Sequence, residues 1–161
     1  MRMKTIPLAL TILFALIFGA LAMRGEEAVY KPNQINVATV GIVRSTDLKT
    51  FDRALGVRLG YDITDKLGGF AQVDGSDFNG SLIENAQVGV KLGKPIGHIR
   101  PYIVGTYAVS FPRTDNVFGL GAGVDVKVYK SVYGFAEAKY TKGTANGANG
   151  FEGTLGLGIG F

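Results

Sequence analysis

The final segment of the chain, residues 150–161, alternates strictly. Phe151, Leu155, Leu157, Ile159 and Phe161 share one parity with Gly153, while Glu152, Thr154, Gly156, Gly158 and Gly160 occupy the other. A period of two is the repeat of a β-strand, whose side chains point alternately to opposite faces. The same division recurs at 117–129, with Phe118, Leu120, Ala122, Val124, Val126 and Val128 against Gly119, Gly121, Gly123, Asp125 and Lys127. It recurs with Leu55, Val57, Leu59, Tyr61 and Ile63 against Ala54, Gly56, Arg58, Gly60 and Asp62, and with Ala86, Val88, Val90 and Leu92 against Gln87, Gly89 and Lys91. One face is hydrocarbon, and the other is glycine with scattered charge.

This pattern discriminates between solvents. In water the hydrocarbon would turn inward and leave an exterior of bare glycine backbone, which is poor for solubility. In a bilayer the conflict disappears: strands pair with one another, closure leaves no edge, and the charges face a sealed interior. The expected fold is therefore all-β and closed, with lipid outside.

Eight such segments can be read, at 34–43, 53–63, 67–74, 84–93, 99–109, 117–129, 132–140 and 150–161. The connections 44–52, 75–83, 110–116 and 141–149 are longer and polar, while 64–66, 94–98 and 130–131 are short. That alternation implies an up-and-down antiparallel meander with loops at one end and tight turns at the other. Segments one, three and five leave their faces open. The first is apolar on both parities, the third sets Phe70 in register with Gln72 and Asp74, and the fifth sets Tyr102 and Val104 with Arg100 and Thr106. In the seventh, turning Glu137 and Lys139 inward carries Tyr133 and Phe135 inward too, over the glycines of its two neighbours, as in aromatic rescue of sheet glycines.

The N-terminus has the three parts of a secretory signal: basic Arg2 and Lys4, an apolar run from Ile6, and the small-x-small site Ala20-Leu21-Ala22. Residues 1–22 are expected to be removed, leaving a short polar lead-in at 23–33 and the barrel at 34–161. Loss of Arg2 and Lys4 lowers the net charge from +4 to +2. No stretch of the remainder gathers basic residues with stacking aromatics, so nucleic-acid binding is not expected. The chain has no cysteine, which excludes disulfides, thiolate metal sites and a cysteine nucleophile.

These patterns, with Arg100-Pro101-Tyr102-Ile103-Val104-Gly105 opening one segment, Glu137-Ala138-Lys139-Tyr140 closing another and Leu157-Gly158-Ile159-Gly160-Phe161 at the end, resemble the OmpA-like and opacity-protein-like family of small outer-membrane barrels. The resemblance covers essentially the whole mature chain. It implies an eight-stranded antiparallel up-and-down transmembrane β-barrel in the outer membrane of a Gram-negative-type envelope, surrounded by lipid and lipopolysaccharide. It also implies that the C-terminal aromatic, Phe161, is part of the signal read by the barrel-assembly machinery. The chain departs from the family in having no tryptophan for the membrane girdle, and no peptidoglycan-binding domain is expected after the barrel. Tyr61, Tyr140, Phe118, Phe151 and Phe161, all near segment ends, are the candidates for that girdle.

Little chemistry is expected. Some small barrels of this membrane act on lipid A, but the lone histidine, His98, adjoins a short turn with no serine at catalytic spacing. Gly119-Leu120-Gly121-Ala122-Gly123 lacks the spacing of a phosphate loop, and Asn79-Gly80-Ser81 reads as a loop. The inward charges Arg58, Lys91, Asp125, Lys127, Glu137, Lys139 and Glu152 are expected to pair and plug a narrow lumen. No catalytic residue, cofactor or metal is expected. The expected role is structural or surface-exposed, possible ligands meeting loops 44–52, 75–83, 110–116 and 141–149. The competing readings are a secreted or periplasmic lipocalin-like carrier and a lipid-A-modifying barrel.

Overall fold

The structure, a computed structural model, describes residues 30–75, 83–111, 115–129, 131–144 and 149–161. The expected signal peptide, most of the lead-in, Asp77, the Asn79-Gly80-Ser81 triplet, Arg113 and the middle half of the glycine-asparagine tract at 143–150 lie outside the described residues.

The described residues form eight strands: β1 (Gln34–Ser45), β2 (Asp52–Asp62), β3 (Leu67–Gly75), β4 (Asn85–Gly93), β5 (Ile99–Ser110), β6 (Asp115–Tyr129), β7 (Val132–Gly143) and β8 (Gly150–Gly160). Each pairs antiparallel with the next, and β8 returns to β1 from Asn36↔Gly160 to Ser45↔Phe151, so the sheet is a closed barrel without edges. The expected meander is the observed one. The long connection expected at 110–116 shrinks to 111–114 because the β5–β6 ladder continues to Ser110↔Asp115.

Exposure follows parity. On β2, Leu55, Val57, Leu59 and Tyr61 are exposed while Ala54, Arg58 and Asp62 are buried; on β8, Phe151, Leu157 and Ile159 are exposed against buried Glu152 and Thr154. The three open strands are settled by the same test. β1 turns Ala38, Val40 and Ile42 inward, β3 turns Phe70, Gln72 and Asp74 inward, and β5 turns Arg100, Tyr102, Val104 and Thr106 inward. Val126 departs from the pattern. Expected on the outer face, it is only 3% exposed. The β6–β7 register shifts between Lys127 and Tyr129, and the Lys127 amide donates to the His98 carbonyl, holding the β4–β5 connection against this corner.

The exposed face carries aromatic rings toward both ends. Tyr107 stands opposite Phe118 and Tyr140 opposite Phe151 at the long-loop end, with ring centroids 5.3 and 5.4 Å apart. Such cross-strand pairs add about 0.5–1.5 kcal/mol beyond burial. Tyr61, Tyr129 and Phe161 lie at the short-turn end, all exposed.

Glycine covering is confirmed on β8 and corrected on β6. Phe135 and Tyr133 sit opposite Gly156 and Gly158 as expected, but on β6 they face Asp125 and Lys127. The β6 glycines are covered instead by Tyr102 and Thr106 of β5 and Lys139 of β7. A Cβ added at Gly156 would clash with the Phe135 ring, whereas at Gly153 it meets nothing within 4 Å. Gly156→Val should therefore cost about 1–3 kcal/mol, and Gly153→Val should be near neutral. Urea titrations in detergent micelles followed by circular dichroism measure both, since the chain has no tryptophan to report fluorescence. Equal costs would show that the two faces are wrongly assigned.

Candidate functional site

The inward side chains meet across the lumen in three tiers. In the middle tier, Arg58 of β2 forks onto Glu137 of β7, with Nη1 to Oε1 at 2.5 Å and Nη2 to Oε2 at 2.8 Å. Its Nε donates to Gln72 Oε1 at 2.9 Å, and the Tyr102 hydroxyl donates to Glu137 Oε1 at 2.8 Å. The Arg58 guanidinium lies between two rings, 3.9 Å from the Phe70 centroid and 4.4 Å from that of Phe135. A bidentate pair held between aromatic faces is fixed in both direction and distance.

Toward the long-loop end, Glu152 accepts from Arg44 Nε at 2.9 Å and pairs with Lys139 Nζ at 2.7 Å. Arg44 also reaches Asp74 at 2.7 Å, and Lys139 donates to Gln87 at 3.2 Å. Ser110 donates to Asn85, whose amide donates to Asp74. Toward the short-turn end, Asp125 takes Lys91 at 3.1 Å and Arg100 at 2.6 Å, and Arg100 also pairs with Asp62 at 2.8 Å. A cavity of about 20 Å³ remains among these last groups, room for about one water molecule.

Apolar side chains pack beside the polar tiers. Ala38, Val40, Ile42 and Ala54 cluster with Tyr133 and Phe135, and Phe70 packs with Tyr102 and Val104. Most of this charge is thus buried and paired beside hydrocarbon, with the Arg44 side chain partly exposed at 28%.

All seven charges expected to face inward are buried, and six of them are found in the ion pairs described. Arg44, Asp74, Asp62 and Arg100 complete the network. Arg44 lies beyond the expected end of segment one, and Arg100 shares its parity with Tyr102 and Val104, so neither announced itself. Tyr30 was also missed. It lies in the lead-in yet is buried, with its hydroxyl on two backbone carbonyls; the only signal was one aromatic in a polar stretch.

His98 offers its carbonyl to the Lys127 amide and the Tyr30 hydroxyl. No group of three or more metal-ligating side chains occurs among the described residues. In the first long loop, Asp47 accepts from the amides of Thr50 and Lys49, both at 2.8 Å, and these bonds hold its carboxyl below the usual carboxylate range. The turn is thus self-contained at neutral pH, with Leu48 in the left-handed region at φ 59°.

No protein-family model and no curated protein matches the sequence. Solved structures do match in fold. The N-terminal β-barrel domain of Pseudomonas aeruginosa OprF is similar with a TM-score of 0.62 at 15% identity, covering 81% of this chain and 98% of that one. A de novo designed transmembrane β-barrel matches with a TM-score of 0.60 at 16% identity over 81% and 98%. The designed protein TMB2.3 matches with 0.54 at 17% identity over 80% and 94%. At these identities the likeness is one of architecture, and the architecture is the eight-stranded transmembrane β-barrel.

Proposed function

We propose that the protein is a non-catalytic barrel of a Gram-negative-type outer membrane, exported with removal of residues 1–22, with its short turns in the periplasm, its long loops at the cell surface and its lumen closed to ions. The observation that carries this reading is the inversion of the molecule. Leu120 is 70% exposed and Leu55 61%, while Arg58 and Lys139 are each 2% exposed. Only a hydrocarbon solvent makes that distribution favourable. A lipocalin-like carrier needs an apolar cavity, and here the interior is occupied by paired charges. A lipid-A enzyme needs an activated nucleophile at the membrane edge, and the one histidine sits at the short-turn end.

Membrane fractionation tests the location, together with a gel comparing boiled and unboiled samples and N-terminal sequencing of the membrane form. Expected are outer-membrane recovery, a heat-dependent mobility shift and a start at Met23. Recovery as a folded monomer without detergent would overturn the reading.

Because the tiers meet across the lumen, planar-bilayer recordings of the intact barrel should show at most brief, small events. Stable, large open steps would mean that the paired side chains leave a path. The loops, with Asp47 and Lys49 fixed in a tight turn, are the surface offered to envelope sugars or a host partner.

Phe161 is 75% exposed, and its amide and carbonyl are held by Ile35 of β1, so its ring contributes little to the folded barrel. The reading makes it a recognition residue for the assembly machinery. Phe161→Ala should then fold nearly normally into thin-lipid vesicles and accumulate poorly in cells. Matching losses in both assays would reduce it to packing, on the order of 1–3 kcal/mol.

A further inference from the structure

Tyr30 precedes β1, yet its side chain is not beside β1. Its hydroxyl donates to the His98 carbonyl at 3.2 Å and to the Asp125 carbonyl at 3.0 Å. Its ring lies under two cations, with Arg100 Cζ 4.7 Å and Lys127 Nζ 5.2 Å from the centroid. These partners belong to β5, β6 and the connection before β5, and β5 is the strand farthest from β1 in the closed ring. The chain ahead of β1 therefore crosses the short-turn mouth. The turn that allows this is fixed: Asn33 adopts φ 60°, its amide donates to the Asp62 carbonyl at 2.6 Å, and its side chain accepts from the Tyr61 hydroxyl at 2.9 Å. Asparagine is among the few residues that hold the left-handed region readily.

We propose that Arg100, Lys127 and the carbonyls of His98 and Asp125 form a binding seat for a phenol, filled in cis by Tyr30, which caps the short-turn mouth over the Arg100–Asp125–Lys91 cluster. The cations attract the face of the ring and the carbonyls require a hydroxyl donor. A plain aromatic satisfies the first demand only. The cap is one end of the closed lumen proposed above and rests on that reading, but its test does not.

The test uses the protein folded in detergent micelles, where both mouths are open to reagent. A water-soluble amine acylator is applied, and peptide mass spectrometry compares Lys91 and Lys127 with exposed Lys49 as internal reference. In the native chain both lumen lysines should react slowly. Tyr30→Ala should keep its heat-dependent gel shift while both rates rise on the order of tenfold relative to Lys49, with Tyr30→Phe in between. Millimolar p-cresol should slow labelling in Tyr30→Ala, and benzene should do so less. Unchanged rates in folded Tyr30→Ala, or rates indifferent to p-cresol, would overturn the proposal. Should the alanine variant not fold, native-like labelling of Tyr30→Phe would overturn the hydroxyl requirement, and with it the phenol seat. A native barrel that conducts ions would instead remove the closed-lumen reading and leave the labelling comparison intact.

Discussion

Glu137→Ala should lower the stability of the barrel by about 3–5 kcal/mol, the range for removing one partner of a buried ion pair. The loss falls on what remains. Arg58 is 2% exposed, and without Glu137 its fork keeps only Gln72 Oε1 as a hydrogen-bond acceptor among the contacts described. The Phe70 and Phe135 faces offset part of that charge but accept no strong hydrogen bond. The Tyr102 hydroxyl loses its acceptor in the same step. Arg58→Ala should cost less, because Glu137 retains Tyr102 and has Lys139 at 3.7 Å. Replacing both charges, as Arg58→Met with Glu137→Leu, should recover most of the loss, since well-packed hydrophobic residues often substitute for a buried pair at little cost. Urea unfolding of the four proteins in micelles gives the comparison. A double variant as unstable as Glu137→Ala would mean that the pair contributes more than its own desolvation.

Val124→Arg should cost about 2–4 kcal/mol and reduce folding yield into lipid vesicles, because a charge near mid-bilayer on the outer face is opposed by the full thickness of hydrocarbon. Val124 stands midway along β6 between Phe118 and Tyr129, opposite Pro101 and Ala136. Lys127→Gln on the opposite parity should be milder, as the amide remains in a polar setting. Equal yields for the two variants would reverse the assignment of faces on β6.

The outward faces were legible because lipid imposes one demand on every outward position. β2, β4, β6 and β8 alternate cleanly, and β7 was oriented by Glu137 and Lys139. The inward faces are heterogeneous, which is why β1, β3 and β5 stayed open. Ala38, Val40 and Ile42 fill the space beside the large rings of Tyr133 and Phe135, so an apolar inward stripe on β1 complements an aromatic one on β7. Nothing local to β1 reports that. Pairing was illegible for a related reason: Arg58 and Glu137 are 79 residues apart and meet only because closure sets their levels. Val126 keeps its outward register, opposite Ile99 and Gly134, and its low exposure leaves no mark in the apolar alternation.

Four of the lumen pairs join strands that are not neighbours: β2 to β7 through Arg58 and Glu137, β4 to β6 through Lys91 and Asp125, β5 to β2 through Arg100 and Asp62, and β1 to β3 through Arg44 and Asp74. None of these four can form within a single hairpin. A partly inserted sheet would hold these four sets of charges unpaired against hydrocarbon, which favours closing the barrel together with its insertion. The reverse route is equally obstructed, because opening any seam strands several charges at once in a medium that penalises each. Escape from a bilayer is thereby expected to be slow, so that the molecule's persistence there is governed by a rate.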